Sequence, residues 1–235
     1  MGIGGQKVPY HYKEHSPLLG EYWLRYQVRN SGLKKATTPL YLNNSNVIGD
    51  SFEIMRYADK VGEGDKIFPE NIDALIWRDK IESAFEEMRK RISQRILRNP
   101  NALKEAAAGV VPEFIAGFCK PLAVVGVNFL AHKYNFDLNT EAADTPLLKA
   151  VLNDARDKLI DGNQYIAGTF SAVDIMVATL RQAVEPIDNG FIALGPAARK
   201  TWYHQELALE FQDLVEWPNH LYAKHRKDEQ GLLLH

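Results

Sequence analysis

The sequence predicts an α+β fold, in which a small N-terminal unit built around a β-hairpin precedes an all-α helical bundle. Three observations support this prediction. Residues 37–57 follow a strand–turn–strand–helix pattern, the stretch from Gly62 to Pro69 has the composition of a linker, and residues 71–99 contain neither Gly nor Pro. We therefore place the first domain at residues 1–64 and the helical domain at 69–226.

The hairpin begins at Pro39, which cannot donate a ladder hydrogen bond and so suits the first residue of a strand or a sheet edge. Leu40–Leu42 is the predicted first strand, the polar run 43–46 is the turn, and Val47-Ile48 is the returning strand. The sequence therefore predicts a short antiparallel ribbon.

A helix is predicted to begin at the Asp50-Ser51 pair, because Phe52, Ile54 and Met55 start an apolar pattern of helical period. The N-terminus of a helix has free N–H groups and the positive end of the dipole, so it can hold a carboxylate. The simpler interpretation is that Asp50 or Ser51 is an ordinary N-cap.

Further elements follow from periodicity and helix-end residues. Ser171 and Asp174 have the spacing of a capping box, and Phe170 and Ile175 have that of a hydrophobic staple. The helix that they open is apolar almost all round, so we expect it in the core. The other predictions are a strand at Val8–Tyr12 and helices at Leu18–Val28, 71–99, Ala102–Tyr134 (broken near Pro112 and Pro121), Pro146–Leu159, Lys200–Leu214 and from Trp217 onward.

Composition excludes several functional classes. Of the 235 residues, 46% are hydrophobic and 25% charged, and the formal net charge is −2, so nothing points to nucleic acid. Cys119 is the only cysteine, which rules out an intrachain disulfide and fits a reducing compartment. No apolar run is long enough to span a bilayer, and the histidines lack metal-ligand spacing. We expect a cytoplasmic protein without metal, membrane or nucleic-acid partners.

The order of these motifs resembles the glutathione transferase superfamily. In that family a cis proline precedes a hairpin in a thioredoxin-like half, and an acidic-Ser pair opens the next helix. A Gly-x-x-Ser/Thr-x-x-Asp capping box lies in the helical half, where Gly168, Ser171 and Asp174 match it. The resemblance covers roughly residues 8–226. It implies that Thr38, Pro39, Asp50 and Ser51 bind glutathione as co-substrate, and that the protein is a homodimer. We also predict that the Thr38–Pro39 bond is cis and buried against the helix after Asp50.

The chain departs from the family pattern before Pro39. A βαβ unit needs about 30 residues or more, so we expect the first strand and helix of the thioredoxin-like half to be missing or truncated to residues 1–7. The residue that activates the glutathione thiol is therefore unknown. Tyr10, Tyr12 and Ser16 are possible substitutes, although each is more simply a surface residue of a strand or turn.

The leading functional hypothesis is a transferase that conjugates glutathione thiolate to small, mostly apolar electrophiles in a pocket between the domains. Trp77 and Phe85 could line that pocket or belong to the core. The charged run Glu82–Arg98 is interpreted as a solvated face or dimer interface. The alternative is a non-catalytic ligand- or partner-binding protein of the same fold. In a third hypothesis, glutathione acts on an aromatic substrate as a reductant or as a nucleophile that cleaves an ether bond.

Overall fold

The structure, a computed structural model, describes residues 6–13, 20–33, 36–43, 46–69, 72–108, 124, 128, 132, 145–192 and 194–226. These residues form an α+β protein with a small antiparallel sheet and a mostly helical body. In chain order the elements are α1 (Glu21–Val28), β1 (Leu40–Leu42), β2 (Val47–Gly49), α2 (Ser51–Val61), α3 (Ala74–Arg98), α4 (Pro100–Ala108), α5 (Pro146–Leu159), α6 (Ala172–Arg181), α7 (Pro196–Trp202), α8 (Gln205–Glu210) and α9 (Glu216–His225), with 3₁₀ turns at Ile160–Gly162 and Gln212–Leu214.

The predicted hairpin is confirmed. β1 and β2 pair antiparallel, with Leu40 opposite Gly49 and Leu42 opposite Val47. Asn43 closes the turn, since its side-chain Oδ1 accepts from the Asn46 N–H at 2.9 Å. Asn43 therefore acts as a turn residue, as its side chain predicts.

The strand predicted at Val8–Tyr12 is wrong, because those residues are irregular. The preceding Gln6 anchors this segment instead. It is 1% exposed, its Nε2 donates to the Asp65 carbonyl at 2.7 Å, and its own carbonyl accepts from the Glu63 N–H at 3.1 Å. A Cβ at Gly62 would lie 2.3 Å from that carbonyl, so the close approach requires glycine. Backbone and side-chain bonds to the end of α2 thus hold the segment, rather than sheet pairing.

The core of the helical body forms around α6, as its apolar sequence predicts. The long helix α3 packs against α5 and α6, and α4 packs against α7. The principal buried cluster comprises Trp77, Ile81, Ala84, Ile92, Leu148, Val151, Leu152, Ala155, Ile166, Val173, Val177, Leu180, Ala183, Val184, Leu207, Ala208, Phe211 and Leu214.

The capping box at the start of α6 is confirmed. The Ser171 Oγ accepts from the Asp174 N–H at 3.4 Å, and the Asp174 Oδ2 accepts from the Ser171 N–H at 2.8 Å. The other carboxylate oxygen, Oδ1, accepts from the Ile166 N–H at 2.8 Å. Phe170 and Ile175 pack on one hydrophobic cluster beside the cap, as a staple requires. Asp174 therefore joins the approaching loop to its helix.

The single helix predicted at Lys200–Leu214 is wrong, because α7 and α8 are separated at Tyr203 and His204. The His204 N–H leaves the helical pattern and donates to the Val184 carbonyl at 2.7 Å. Two arginines of α3 satisfy the carbonyls freed at the end of α7. Arg91 donates to those of Trp202 and Tyr203, and Arg95 to those of Lys200 and Tyr203.

These contacts also correct the interpretation of Glu82–Arg98 as a solvated face, whereas its role in a dimer interface stays a prediction. Arg91 and Arg95 bind α7, and the Glu87 carboxylate accepts from the Leu147 and Leu148 N–H groups at the start of α5. Charged side chains of α3 thus cap two neighbouring helices, a long-range role that helical periodicity does not reveal.

Several predictions fall outside the described residues. The Ala102–Tyr134 region begins within α4, but Cys119 and the breaks near Pro112 and Pro121 are not among the residues described. Within the described part of the chain, none of the helices has the length and apolar character needed to cross a bilayer.

Candidate functional site

The strand register brings the four predicted site residues to one end of the hairpin. Leu40 pairs with Gly49, so Pro39 and Asp50, the next residues outward, lie at the open end of the ribbon. Thr38 precedes this point on one strand, and Ser51 begins α2 on the other. Two segments of sequence thus meet at a single surface.

The Thr38–Pro39 peptide bond is cis, as predicted. Its predicted burial against α2 is wrong, because both residues are exposed. The buried side of α2 faces elsewhere: Phe52 and Met55 pack with Ile67 and Ala172, between the linker and α6. The cis bond therefore lies on the open surface beside the start of α2.

Asp50 has the least common backbone conformation at this surface. It is the N-cap of α2, with φ 78° and ψ 126°, a region that side-chain-bearing residues seldom occupy. Its Oδ1 accepts from the Phe52 N–H at 2.8 Å, and its Oδ2 forms an ion pair with Arg78 Nη2 at 2.6 Å. Such strain persists only where the surroundings hold it in place, and it is concentrated at functional sites.

Arg78, on the first turns of α3, is the site residue that the sequence did not reveal. Its guanidinium lies 5.0 Å from the centre of the Phe52 ring, and its Nη1 lies 3.9 Å from Glu53 Oε1. It thereby joins the helical body to the start of α2. Asp50 and Arg78 are separated by 28 residues and the linker, so no local pattern signals their pairing.

Ser51 offers hydrogen-bonding groups to an incoming molecule. It is exposed at the first position of α2, and among the described residues its hydroxyl has no hydrogen-bond partner. The first N–H groups of a helix lack intrahelical acceptors. Together with the Arg78 guanidinium, this surface can accommodate a carboxylate.

The surface also has a negatively charged side, formed by Asp50, Glu53 and Glu82. Partial burial raises the pKa of the Glu82 carboxyl. The positive charge of Arg89 lowers this pKa and the negative charge of Asp50 raises it, and Arg78 and Glu86 have smaller effects in the same two directions. Opposite charges thus lie side by side, an arrangement suited to a zwitterionic group that carries an ammonium and a carboxylate.

The residues considered for thiol activation or substrate contact are dispersed. Tyr10 and Tyr12 are 42% and 70% exposed, and Ser16 lies outside the described residues. Trp77 is buried in the main core, and the partly buried Phe85 packs against the same cluster. The described residues contain no group of three metal-ligating side chains that could hold an ion.

Comparison with protein-family models, with curated proteins and with solved structures finds no match to this chain. The geometry at the start of α2 is therefore the main physical evidence of function.

Proposed function

We propose that the chain binds glutathione at the open end of the hairpin and transfers its thiolate to small apolar electrophiles. The observation that carries the proposal is the meeting of Asp50, Ser51 and Arg78 at the start of α2. Glutathione has a zwitterionic γ-glutamyl end, and this surface offers charges of both signs. The choice of glutathione, and of transfer to an electrophile, is supported by the resemblance of the hairpin and of the motif order to the glutathione transferase superfamily.

In this arrangement the α-carboxylate of the ligand lies between Arg78 and the Ser51 hydroxyl and N–H. Arginine is well suited to this contact, since its planar fork matches a carboxylate. Asp50 orients Arg78 through the 2.6 Å ion pair. A carboxylate has about four acceptor positions, so Asp50 retains capacity for the ammonium of the ligand.

Titration calorimetry with glutathione tests the binding step. Replacing Ser51 with Ala removes a hydrogen bond to a charged group, worth about 1.5–3 kcal/mol, so affinity should fall by roughly one to two decades. Arg78→Gln should weaken binding at least as much. Ser83→Ala is the matched control, because Ser83 is an exposed serine of α3 whose hydroxyl donates to the Asp79 carbonyl of its own helix. If the unaltered protein shows no binding of glutathione, the proposal is wrong; equal binding by Ser51→Ala removes Ser51 from the site.

Exposed phenols favour the second candidate, a glutathione-binding protein without transferase activity. A hydroxyl lowers the pKa of a thiol by donating to the thiolate, and the effect is weak for a phenol that remains in water. Tyr12 is 70% exposed. Conjugation of chlorodinitrobenzene distinguishes the candidates: turnover supports the transferase, and saturable binding without turnover supports the binding protein.

A further inference from the structure

An open cavity of about 380 Å³ lies where the C-terminal half of α3 meets the end of α7. Its lining comprises Arg95, Glu185, Pro186, Arg199, Lys200 and Tyr203. Arg78, at the proposed glutathione site, lies on the first turns of the same helix, about 25 Å from Arg95 along the axis. The cavity is therefore separate from the glutathione surface.

The lining of this cavity carries an excess of positive charge. Its one carboxylate is that of Glu185, and its cations are Arg95, Arg199 and Lys200. The Glu185 carboxylate lies 3.5 Å from the guanidinium of Arg181, which balances its charge. The charges that face the cavity thus favour an anion.

Arg91, one turn before Arg95 on α3, brings a further positive charge beside the cavity. Both guanidinium groups donate to the Tyr203 carbonyl, at 2.9 and 2.5 Å, so their charges lie close together. Burial, followed by the charge of Arg95, lowers the pKa of Arg91 to about 10. In the described part of the chain neither arginine pairs with a carboxylate. An anion bound here would relieve this repulsion.

Arg95 can still donate to a bound molecule, although both of its Nη atoms bond carbonyls of α7. A guanidinium has five N–H groups, and carbonyls occupy only part of this set. The Arg95 Nε has no partner among the described residues. In that part of the chain, the unpaired side-chain atoms that are closed to solvent belong to Gln6, Arg181 and Asn219. The Arg95 Nε is therefore accessible to solvent.

Lys200 and Arg199 provide further donors to the same cavity. Lys200 is exposed, and no carboxylate within the described residues pairs with its ammonium group. The Nη atoms of Arg199 donate to the Pro186 and Ile187 carbonyls at 2.9 and 2.8 Å, which fixes the guanidinium in place. One flexible and two oriented cations thus surround the space.

The cavity also has an apolar side. The Tyr203 side chain is 38% exposed, and its ring and the Pro186 ring belong to the lining. The volume is within the range of small-molecule sites. An anion with a small apolar substituent therefore matches the cavity better than a bare inorganic ion does.

We propose that this cavity binds a small phosphate monoester, with its phosphoryl group between Arg95 and Lys200 and its apolar group against Tyr203. The cations of the lining outnumber its carboxylate by two, and a phosphate monoester carries a charge of about −1.5 to −2 at neutral pH. The planar fork of arginine suits phosphate oxygens. Occupancy of this site does not depend on glutathione binding or on the proposed transferase activity.

Titration calorimetry with phenyl phosphate, and with phenyl sulfate as the monoanion of the same shape, tests the proposal. Phenyl phosphate should bind saturably, more weakly as NaCl is added, and at least about fivefold more tightly than phenyl sulfate. Equal affinities for the two would overturn the assignment to a dianion, and absence of saturable phenyl phosphate binding would overturn the site itself.

Lys200→Gln removes one charge of the site without removing any side-chain bond within the described residues. It should weaken phenyl phosphate by about fivefold or more. Lys158→Gln is the matched control, because Lys158 is an exposed lysine of α5 outside the cavity lining, and its loss should leave the affinity unchanged. An equal loss in the two variants would mean that the general surface charge attracts the anion, and the proposal would be wrong.

Arg95→Gln should weaken phenyl phosphate by about tenfold or more, with circular dichroism used to check that the variant folds. Tyr203→Ser removes the ring but retains the carbonyl that accepts from the arginines, so it keeps the test independent of the α7 cap. This change should weaken phenyl phosphate by about threefold or more while leaving inorganic phosphate unaffected. Phenyl phosphate binding that is unchanged in Lys200→Gln and Tyr203→Ser would place the ligand elsewhere.

Discussion

Removal of the Asp174 carboxylate should destabilise the protein far more than loss of an ordinary helix cap. Asp174 is 0% exposed, and it accepts from the buried Ile166 and Ser171 N–H groups, each at 2.8 Å. Asp174→Ala leaves both donors unsatisfied, at a cost of about 1–3 kcal/mol each. Burial raises the pKa of the carboxyl, against the lowering effect of its hydrogen bonds, so eliminating the buried charge offsets part of that cost. The net loss should be about 3 kcal/mol.

For a chain of this size, about 3 kcal/mol corresponds to a fall in Tm of roughly 6–12 °C. Differential scanning calorimetry at neutral pH measures it. Asp73→Ala is the matched control, because Asp73 accepts from the Leu75 and Ile76 N–H groups at 3.0 and 3.1 Å but lies in solvent at the start of α3. That change should cost about 1 kcal/mol. Equal losses in the two variants would refute the argument that burial makes the Asp174 cap more costly to lose.

Two further predictions concern the helical body. Burial, followed by the positive charge of Arg91, lowers the pKa of His204 below its ordinary value of 6.5. As pH falls, His204 is therefore protonated in the unfolded chain before it is protonated in the folded protein. Its contribution to stability should be complete above about pH 6.5 and should decline as pH falls below about 6.5. His204→Gln should flatten this decline in urea titrations across the interval, whereas the exposed His220→Gln should leave it intact. Glu87→Ala removes the carboxylate that caps α5 and should cost about 1–2 kcal/mol; a urea midpoint no lower than that of the exposed neighbour Glu86→Ala would contradict the capping role.

The candidate site could be predicted in part from the sequence. Local polarity and periodicity mark a helix start at Asp50 and Ser51, and the hairpin register then brings Pro39 beside them. Arg78 could not be found in this way, because its contact with Asp50 joins residues on opposite sides of the linker. The strand predicted at Val8–Tyr12 failed for a related reason: a strand requires a partner, and alternation alone does not supply one.

The sequence by itself determined the elements whose causes are local. The turn at Asn43, the cap at Ser171 and Asp174, and the apolar surface of α6 all depend on residues a few positions apart, where hydrogen-bond geometry and helical period act directly. Tertiary structure alone decided which charged residues of α3 lie in water and which cap α5 and α7. It also decided that the segment at Lys200–Leu214 divides at His204. These outcomes depend on distant backbone groups that need partners once they are buried, and no single segment contains that information.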